Sequence, residues 1–234
     1  MKKIVSLIVS MFMILSLCAC SGPKKEDVIP FFEAFDRTLD LDSGEFSGMV
    51  KYSVDEDINN MFLSFSLIQT GDMQLAVNLG LEANGNKLDD FINFYIKDGK
   101  TYLNYLGQTS QSVAENIGIN PKKKLSLSNP FLDYTDSELT SLFSKVEKSK
   151  DTYHMDLKAG NISKILDEFG GIQVEDAHMD VTLKKGYISH LVFKLNGTQS
   201  LGKEPTPVTI TFDGKLTNIN SLTSVSFPED LTSY

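Results

Sequence analysis

The only two thiols of this 234-residue chain stand within three positions, in Leu17-Cys18-Ala19-Cys20. A thiol is the most nucleophilic side chain available for a covalent attachment. Its setting here is an apolar run from Ile4 to Ala19, preceded by Met1-Lys2-Lys3 and broken only by serines. The other groups able to do chemistry are sparse. His154, His178 and His190 are the three histidines. His154-Met155-Asp156 and His178-Met179-Asp180 each place an imidazole and a carboxylate two residues apart, on one face if the segment is a strand. Neither pair has a third ligand near it in sequence, and no His-Glu-x-x-His helix is present, so no metal and no cofactor are expected. The chain has no Gly-x-Ser-x-Gly elbow and no phosphate-cradling glycine loop. Asp55-Glu56-Asp57 and Asp89-Asp90 sit at turns, where solvated carboxylates are the ordinary reading. With no nucleophile–base pair, no enzyme is expected.

A short positive start, an apolar middle and small residues at its end have the layout of a secretory signal, and the run falls short of the roughly 20 residues that span a bilayer. Leu17-Cys18-Ala19-Cys20 resembles the lipobox of bacterial lipoproteins, in which a Leu precedes two small residues and an obligatory Cys. Cys18 fits worse as acceptor, because Leu17 would then occupy the cleavage position. The resemblance implies a signal peptide over residues 1–19, lipid (diacylglyceryl and palmitate chains) on Cys20, and a tether over 20–27. It places the protein on the extracytoplasmic face of a cell membrane. Buried acyl chains hold by about 0.8 kcal/mol per methylene, so two or more make attachment nearly permanent. Cleavage before Cys20 would leave no free thiol, excluding disulfides, thiolate metal sites and cysteine catalysis. A bacterial lipobox also discounts the sequons Asn161-Ile162-Ser163 and Asn196-Gly197-Thr198.

Hydrophobic residues make up 41% of the chain and aromatics 10%, enough for a real core. The net charge is −9, and the leader contributes two lysines and no acid, so the remainder is more acidic still. Nucleic acid is excluded as a partner, since its binding needs Lys/Arg contacts to phosphate. Lys122-Lys123-Lys124 is the one basic cluster and reads as a solvated loop.

These groups must be carried by a fold, and the hydrophobic periods outline it. Val28, Phe31, Phe32, Phe35 and Leu39 form one stripe of an amphipathic helix. Strands follow over 46–54, 61–69 and 73–82, the last alternating Met73, Leu75, Val77, Leu79 and Leu81 with mostly smaller or polar residues. In "FINFYIKDGKTYLNYL", Asp98-Gly99 reads as a type I′ turn, facing Lys97 against Lys100. One side of that hairpin then carries Ile92, Phe94, Ile96, Thr101, Leu103 and Tyr105; the other carries Phe91, Asn93, Tyr95, Tyr102, Asn104 and Leu106. A short helix is expected within 110–118. Thr135-Asp136-Ser137-Glu138 fits a capping box before a stripe of Leu139, Leu142, Phe143 and Val146. A strand over 152–158 precedes a helix with Ile162, Ile165, Leu166 and Phe169, ended by Gly170-Gly171. Strands over 174–184, 187–196 and 207–213 follow, and "NINSLTSVSFPEDL" reads as a last strand stopped by Pro228.

The fold class is therefore α+β, mainly antiparallel: one large curved sheet with helices on one face. This order after a lipobox is similar to the LolA/LolB and LppX-type envelope carriers of lipoproteins and lipids, and that resemblance implies a half-open barrel of about ten to eleven strands with the helices on the concave face. The leading helix, the Asp98-Gly99 hairpin, "YHMDLKAGNISKILDEF" and "PVTITFDGKL…VSFPEDL" carry the likeness, which covers residues 28–234 as one domain. It implies carriage of a lipid or other apolar ligand between sheet and helices. The apolar faces nominate Leu75, Val77, Leu79, Ile92, Phe94, Ile96, Leu103, Tyr105, Leu142, Phe143, Ile165 and Phe169 as lining. The alternative is an envelope sensor or adaptor with a packed core, docking another envelope protein through Phe91, Tyr95 and Tyr102. If Cys20 is the anchor, Cys20→Ala should leave the membrane fraction and lose radioactive palmitate. A variant that stays membrane-bound and labelled contradicts this.

Overall fold

The structure, a computed structural model, describes residues 22–55, 57–125, 127–166, 172–199 and 204–234, without the side chains of 164–166. The leader, Cys20, the Ile165 side chain, Phe169 and Gly170-Gly171 lie outside the described residues.

Helix α1 (Lys25–Leu39) opens the fold, with Glu26 and Asp27 at the positive end of its dipole and Arg37 in its last turn. Six strands follow as a meander: β1 (Ser43–Val54), β2 (Asp57–Ile68), β3 (Gln74–Ala83), β4 (Asn86–Lys97), β5 (Lys100–Tyr105) and β6 (Gln108–Val113). A one-turn 3-10 helix, a long loop and α2 (Asp136–Ser141) lead to β7 (Phe143–Ser149) and β8 (Thr152–Leu157). Helix α3 (Ala159–Leu166) precedes β9 (Ile172–Lys184), β10 (Tyr187–Gln199) and β11 (Thr206–Thr217). All eleven form one antiparallel sheet in the order β6-β5-β4-β3-β2-β1-β11-β10-β9-β8-β7. It is the open sheet with helices in its hollow expected from the sequence. Among the described residues no helix is long and apolar enough to cross a membrane.

The Asp98-Gly99 turn has positive φ at both residues, 51° and 72°, and pairs Lys97 with Lys100, Phe94 with Leu103 and Ile92 with Tyr105. The register read from sequence is the register observed.

The concave face carries the main core. Val28, Phe31 and Phe32 of α1 are buried against Phe143, Tyr153, Met155, Met179 and Val181. Each such Phe contributes about 1.5–3 kcal/mol on burial. Their rings form an edge-to-face network: Phe31–Phe32 centroids stand 4.9 Å apart and Phe32–Phe131 5.1 Å. Helix α3 covers β9 beside it.

Three expectations need correction. The capping box is present, with Thr135 accepting from the Glu138 N–H and Glu138 accepting from the Thr135 N–H, but α2 stops at Ser141. Phe143 and Val146 belong to strand β7 instead. A bulge between Phe143 and Lys145 brings residues three apart to one face, which imitates helical spacing. The segment 110–118 is mostly strand β6, with its helical turn confined to Ala114–Ile117.

The third correction concerns the tail. Residues 218–230 form no strand, because β1 and β11, the strands they would join, are already paired on both edges. The tail crosses the convex face instead. Val225 and Leu231, with Leu222, Phe227 and Tyr234, pack on Ile68, Ala76, Tyr95 and Tyr102. Two of the three aromatics nominated for a protein partner are thus covered by the chain's own C-terminus, Tyr95 and Tyr102 being only 5% and 6% exposed; Phe91 stays half-buried beside Tyr105.

Burial, and then the Tyr234 phenol 5.9 Å away ring to ring, push the Tyr95 phenol up to about 12. The unfolded chain, with tyrosine near 10, loses its proton first as pH rises. The stabilisation is therefore whole below about pH 10 and lost between about 10 and 12. Denaturant titrations across this window should show a steeper loss for wild type than for Tyr95→Phe.

Candidate functional site

The centre of the concave face repeats one short pattern on two paired strands: Phe46-Ser47-Gly48 in β1 and Phe212-Asp213-Gly214 in β11. Gly48 and Gly214 stand directly opposite each other. A Cβ on Gly214 would lie 2.6 Å from Phe212 Cζ and 2.9 Å from Phe46 Cε2, and one on Gly48 2.7 Å from Phe46 Cζ. The missing side chains let the rings lie flat along the sheet. Phe46 accordingly stacks on Phe65 (5.2 Å, 18°) and on Phe212 (6.2 Å, 12°), paving an aromatic floor.

Above this floor lies a cavity of about 280 Å3. Leu67, Leu191 and Leu216 form its sides; Phe35, Thr38 and Leu39 at the end of α1, with Leu41, close one end; Leu125 and Leu127 pass over it. Among the described residues three side chains in this wall are polar, and each is spent on the protein itself. Thr38 Oγ1 donates to Ala34 O at 2.6 Å and accepts from Ile188 N at 2.9 Å. Gln69 Nε2 donates to Leu41 O at 2.9 Å, while its Oε1 accepts from Leu125 N at 2.7 Å. Ser189 Oγ donates to Thr182 O at 3.0 Å. A wall whose polar groups are already satisfied favours an apolar occupant over water.

The segment over the cavity is a strap pinned along its length. Pro121 O accepts from Met73 N at 2.8 Å, and Phe131 packs on Phe32 and Phe35. Lys124, expected as a solvated loop residue, grips Asp40 at 3.0 Å and Asp42 at 2.8 Å. Desolvation acts to lower the Lys124 ammonium, but its hydrogen bonds to Asp42 and Asp40 outweigh that and raise it, so the clamp stays charged at neutral pH. Lys122 and Lys123 are exposed. A wider, more open hollow of about 750 Å3 shares Ser189 and Leu216 with the cavity and is edged by Lys184, Lys185 and Lys215.

The residues nominated from sequence sit around this cavity rather than in its wall. Ile96 is fully buried, packed with Leu75 and Phe94 against Leu41, Leu67 and Met73, under Ile119 and Leu125. Val77, Leu79 and Ile92 are half-buried. Leu103 and Tyr105 are 36% and 46% exposed. Phe143 is 1% exposed and lies with Leu142 in the core under α1. Of the lining residues, only Phe35 and Leu39 were singled out, as part of the α1 stripe. Phe46, Phe65, Phe212 and Leu191 were missed; the shared Phe-x-Gly pattern was the available signal for two of them. The histidine pairs, remote in sequence, are brought together on the convex face by the pairing of β8 with β9.

No family model and no curated protein matches the sequence. Among solved structures the chain is similar to LprF from Mycobacterium bovis, at 14% identity over 89% of this chain and 99% of that one, TM-score 0.42. It is similar to a putative outer membrane lipoprotein-sorting protein domain from Vibrio parahaemolyticus at 9% identity, over 89% and 97%, TM-score 0.28. A DUF1329 family protein from Desulfovibrio piger is similar at 8%, over 88% and 96%, TM-score 0.29. At these scores the likenesses add nothing to what the strand order already shows.

The glycine floor yields a contrast. In Gly214→Ala the atoms met are the ring ends of Phe212 and Phe46, side chains that can tilt toward the cavity, so the loss of stability should stay within about 1 kcal/mol. In Gly197→Ala the new Cβ would stand 2.3 Å from the Gln173 carbonyl oxygen, and backbone cannot give way, so about 1–3 kcal/mol or more should be lost. Urea denaturation of both variants checks this; equal losses would contradict it.

Proposed function

We propose that this protein is an envelope lipoprotein, held at the membrane through lipid on Cys20, that carries an acyl chain or similar apolar molecule between its curved sheet and the α1–strap roof. The observation behind this reading is the wall of the 280 Å3 cavity, in which, among the described residues, every polar side chain is already bonded to protein. Such a wall offers an occupant no hydrogen bond and no charge, so what it rewards is apolar surface, at roughly 25 cal/mol per Å2 removed from water. The volume lies at the lower edge of the roughly 300–1,000 Å3 usual for small-molecule sites, which suits one chain rather than a whole multi-chain lipid. A longer ligand would extend toward the neighbouring open hollow, where Lys184, Lys185 and Lys215 stand. Among the described residues the hydroxyls in the wall, Thr38 and Ser189, have no histidine or carboxylate beside them in it, which favours a carrier over a catalyst. The adaptor reading loses Tyr95 and Tyr102, the two tyrosines of its docking patch, to the tail.

Residues 22–234, purified without detergent, should release an acyl compound on solvent extraction, read by mass spectrometry. The stripped protein should then bind a fluorescent fatty acid. Leu191→Trp, which fills the cavity, should weaken that binding at least about tenfold, the equivalent of 1.4 kcal/mol. Leu103→Trp, on the exposed hairpin, should leave it unchanged. A ligand-free protein that ignores the probe, or one whose binding follows Leu103, would overturn the proposal.

A further inference from the structure

The convex face carries a second constellation, unrelated to the cavity. Strands β8 and β9 pair His154 with Asp180, Met155 with Met179 and Asp156 with His178. The two methionines point into the core, 0% and 7% exposed, so the backbone beneath the four outward side chains is pinned from behind. Two imidazoles then converge on one atom. His154 Nδ1 lies 2.6 Å from Asp180 Oδ1, and His178 Nε2 lies 2.9 Å from that same oxygen. The remaining nitrogen of His178, Nδ1, is 2.7 Å from Asp156 Oδ1. A ladder of simple ion pairs would give each histidine its own carboxylate oxygen. Here the nitrogens share one, and a separate carboxylate fixes the ring of His178 from the other side.

We propose that His154, His178 and Asp180 form a binding site for a divalent transition-metal ion of the zinc class, with Asp156 as the residue that orients His178. The three ligand atoms already lie within 4.8 Å of one another. A tetrahedral zinc with bonds of about 2.0–2.1 Å needs its ligand atoms about 3.4 Å apart, a difference that side-chain torsions supply without moving the strands. Two imidazoles and one carboxylate are a donor set such ions take, leaving a fourth position for water. Glu147, in register with His154 on β7, is a further carboxylate on the same face and holds Lys145 at 2.9 Å; Lys194 is in register with His178 on β10. The Nδ1–H of His178 donating to Asp156 is the carboxylate–histidine arrangement that fixes ring orientation and tautomer at metal sites. On binding, the protons on His178 Nε2 and His154 Nδ1 leave those nitrogens and free both lone pairs for the metal. The Nδ1 proton of His178 stays on that nitrogen, donated to Asp156, and the released protons pass to solvent.

The full chain, solubilised in mild detergent and freed of metal with chelator, should be titrated with Zn2+ by calorimetry and with Co2+ by visible absorption. The expected result is one saturating equivalent of Zn2+ and cobalt ligand-field bands at the same stoichiometry. His154→Ala and His178→Ala should each abolish the bands, while Asp156→Asn should keep them and weaken affinity by about 10–100-fold. His190→Ala, at the separate His190–Asp213 pair, should change nothing. Circular dichroism confirms folding of each variant, and His178→Gln replaces His178→Ala if the latter unfolds. Absence of saturable binding in wild type, bands that persist in both histidine variants, or bands lost with His190→Ala would overturn the site.

Discussion

The structure depends on the seam between β1 and β11. These strands lie at opposite ends of the chain, yet they pair antiparallel without a break from Glu45 with Thr217 to Val54 with Val208. The seam turns two separate meanders, β1 to β6 and β7 to β11, into one sheet. The entropy of closing so long a loop grows only logarithmically with its length, and an uninterrupted ladder with apolar partners on its inner face offsets it. The register matters as much as the pairing. A slip of one residue would turn every side chain to the other face, separating Gly48 from Gly214 and tipping Phe46 and Phe212 off the floor.

Both faces of the sheet are then covered by segments that cannot join it as strands. On the inside, α1 seals the β7–β10 half with phenylalanines, while the strap, clamped by Lys124, crosses the β2–β1–β11 region. The cavity is the space left where α1 ends at Leu39 and before the strap descends. On the outside, the C-terminal tail lays Val225, Phe227 and Leu231 across β2 to β5. One consequence is functional: the convex face offers no free aromatic patch at Tyr95, whereas the hollow keeps unfilled apolar space.

What could be read from the sequence follows from the range of the interactions concerned. The Asp98-Gly99 hairpin and its register were legible because turn chemistry and period-two alternation are local. The capping box at Thr135 was legible for the same reason. The end of α2 was not, since the β-bulge in β7 places Phe143 and Val146 on one face as a helix would. The tail has a strand-like sequence, yet β1 and β11 beside it are already paired on both edges, and its apolar residues pack on the convex face instead. The cavity wall was illegible because it depends on which strands meet at the seam. The convergence of His154 and His178 on Asp180 likewise exists only once β8 and β9 pair, joining two dipeptide-spaced pairs that each lacked a third ligand in sequence.

The central claim is that the space over the Phe46–Phe65–Phe212 floor is where an apolar chain sits. The most direct measurement is anomalous diffraction from crystals of residues 22–234 soaked with a fatty acid brominated at its terminal methyl. The account predicts a bromine peak between the stacked rings and the strap, within van der Waals reach of Leu191 and Leu216. Bromine found only on the outer face or along the exposed β5 hairpin, with side chains closing the hollow, would contradict it.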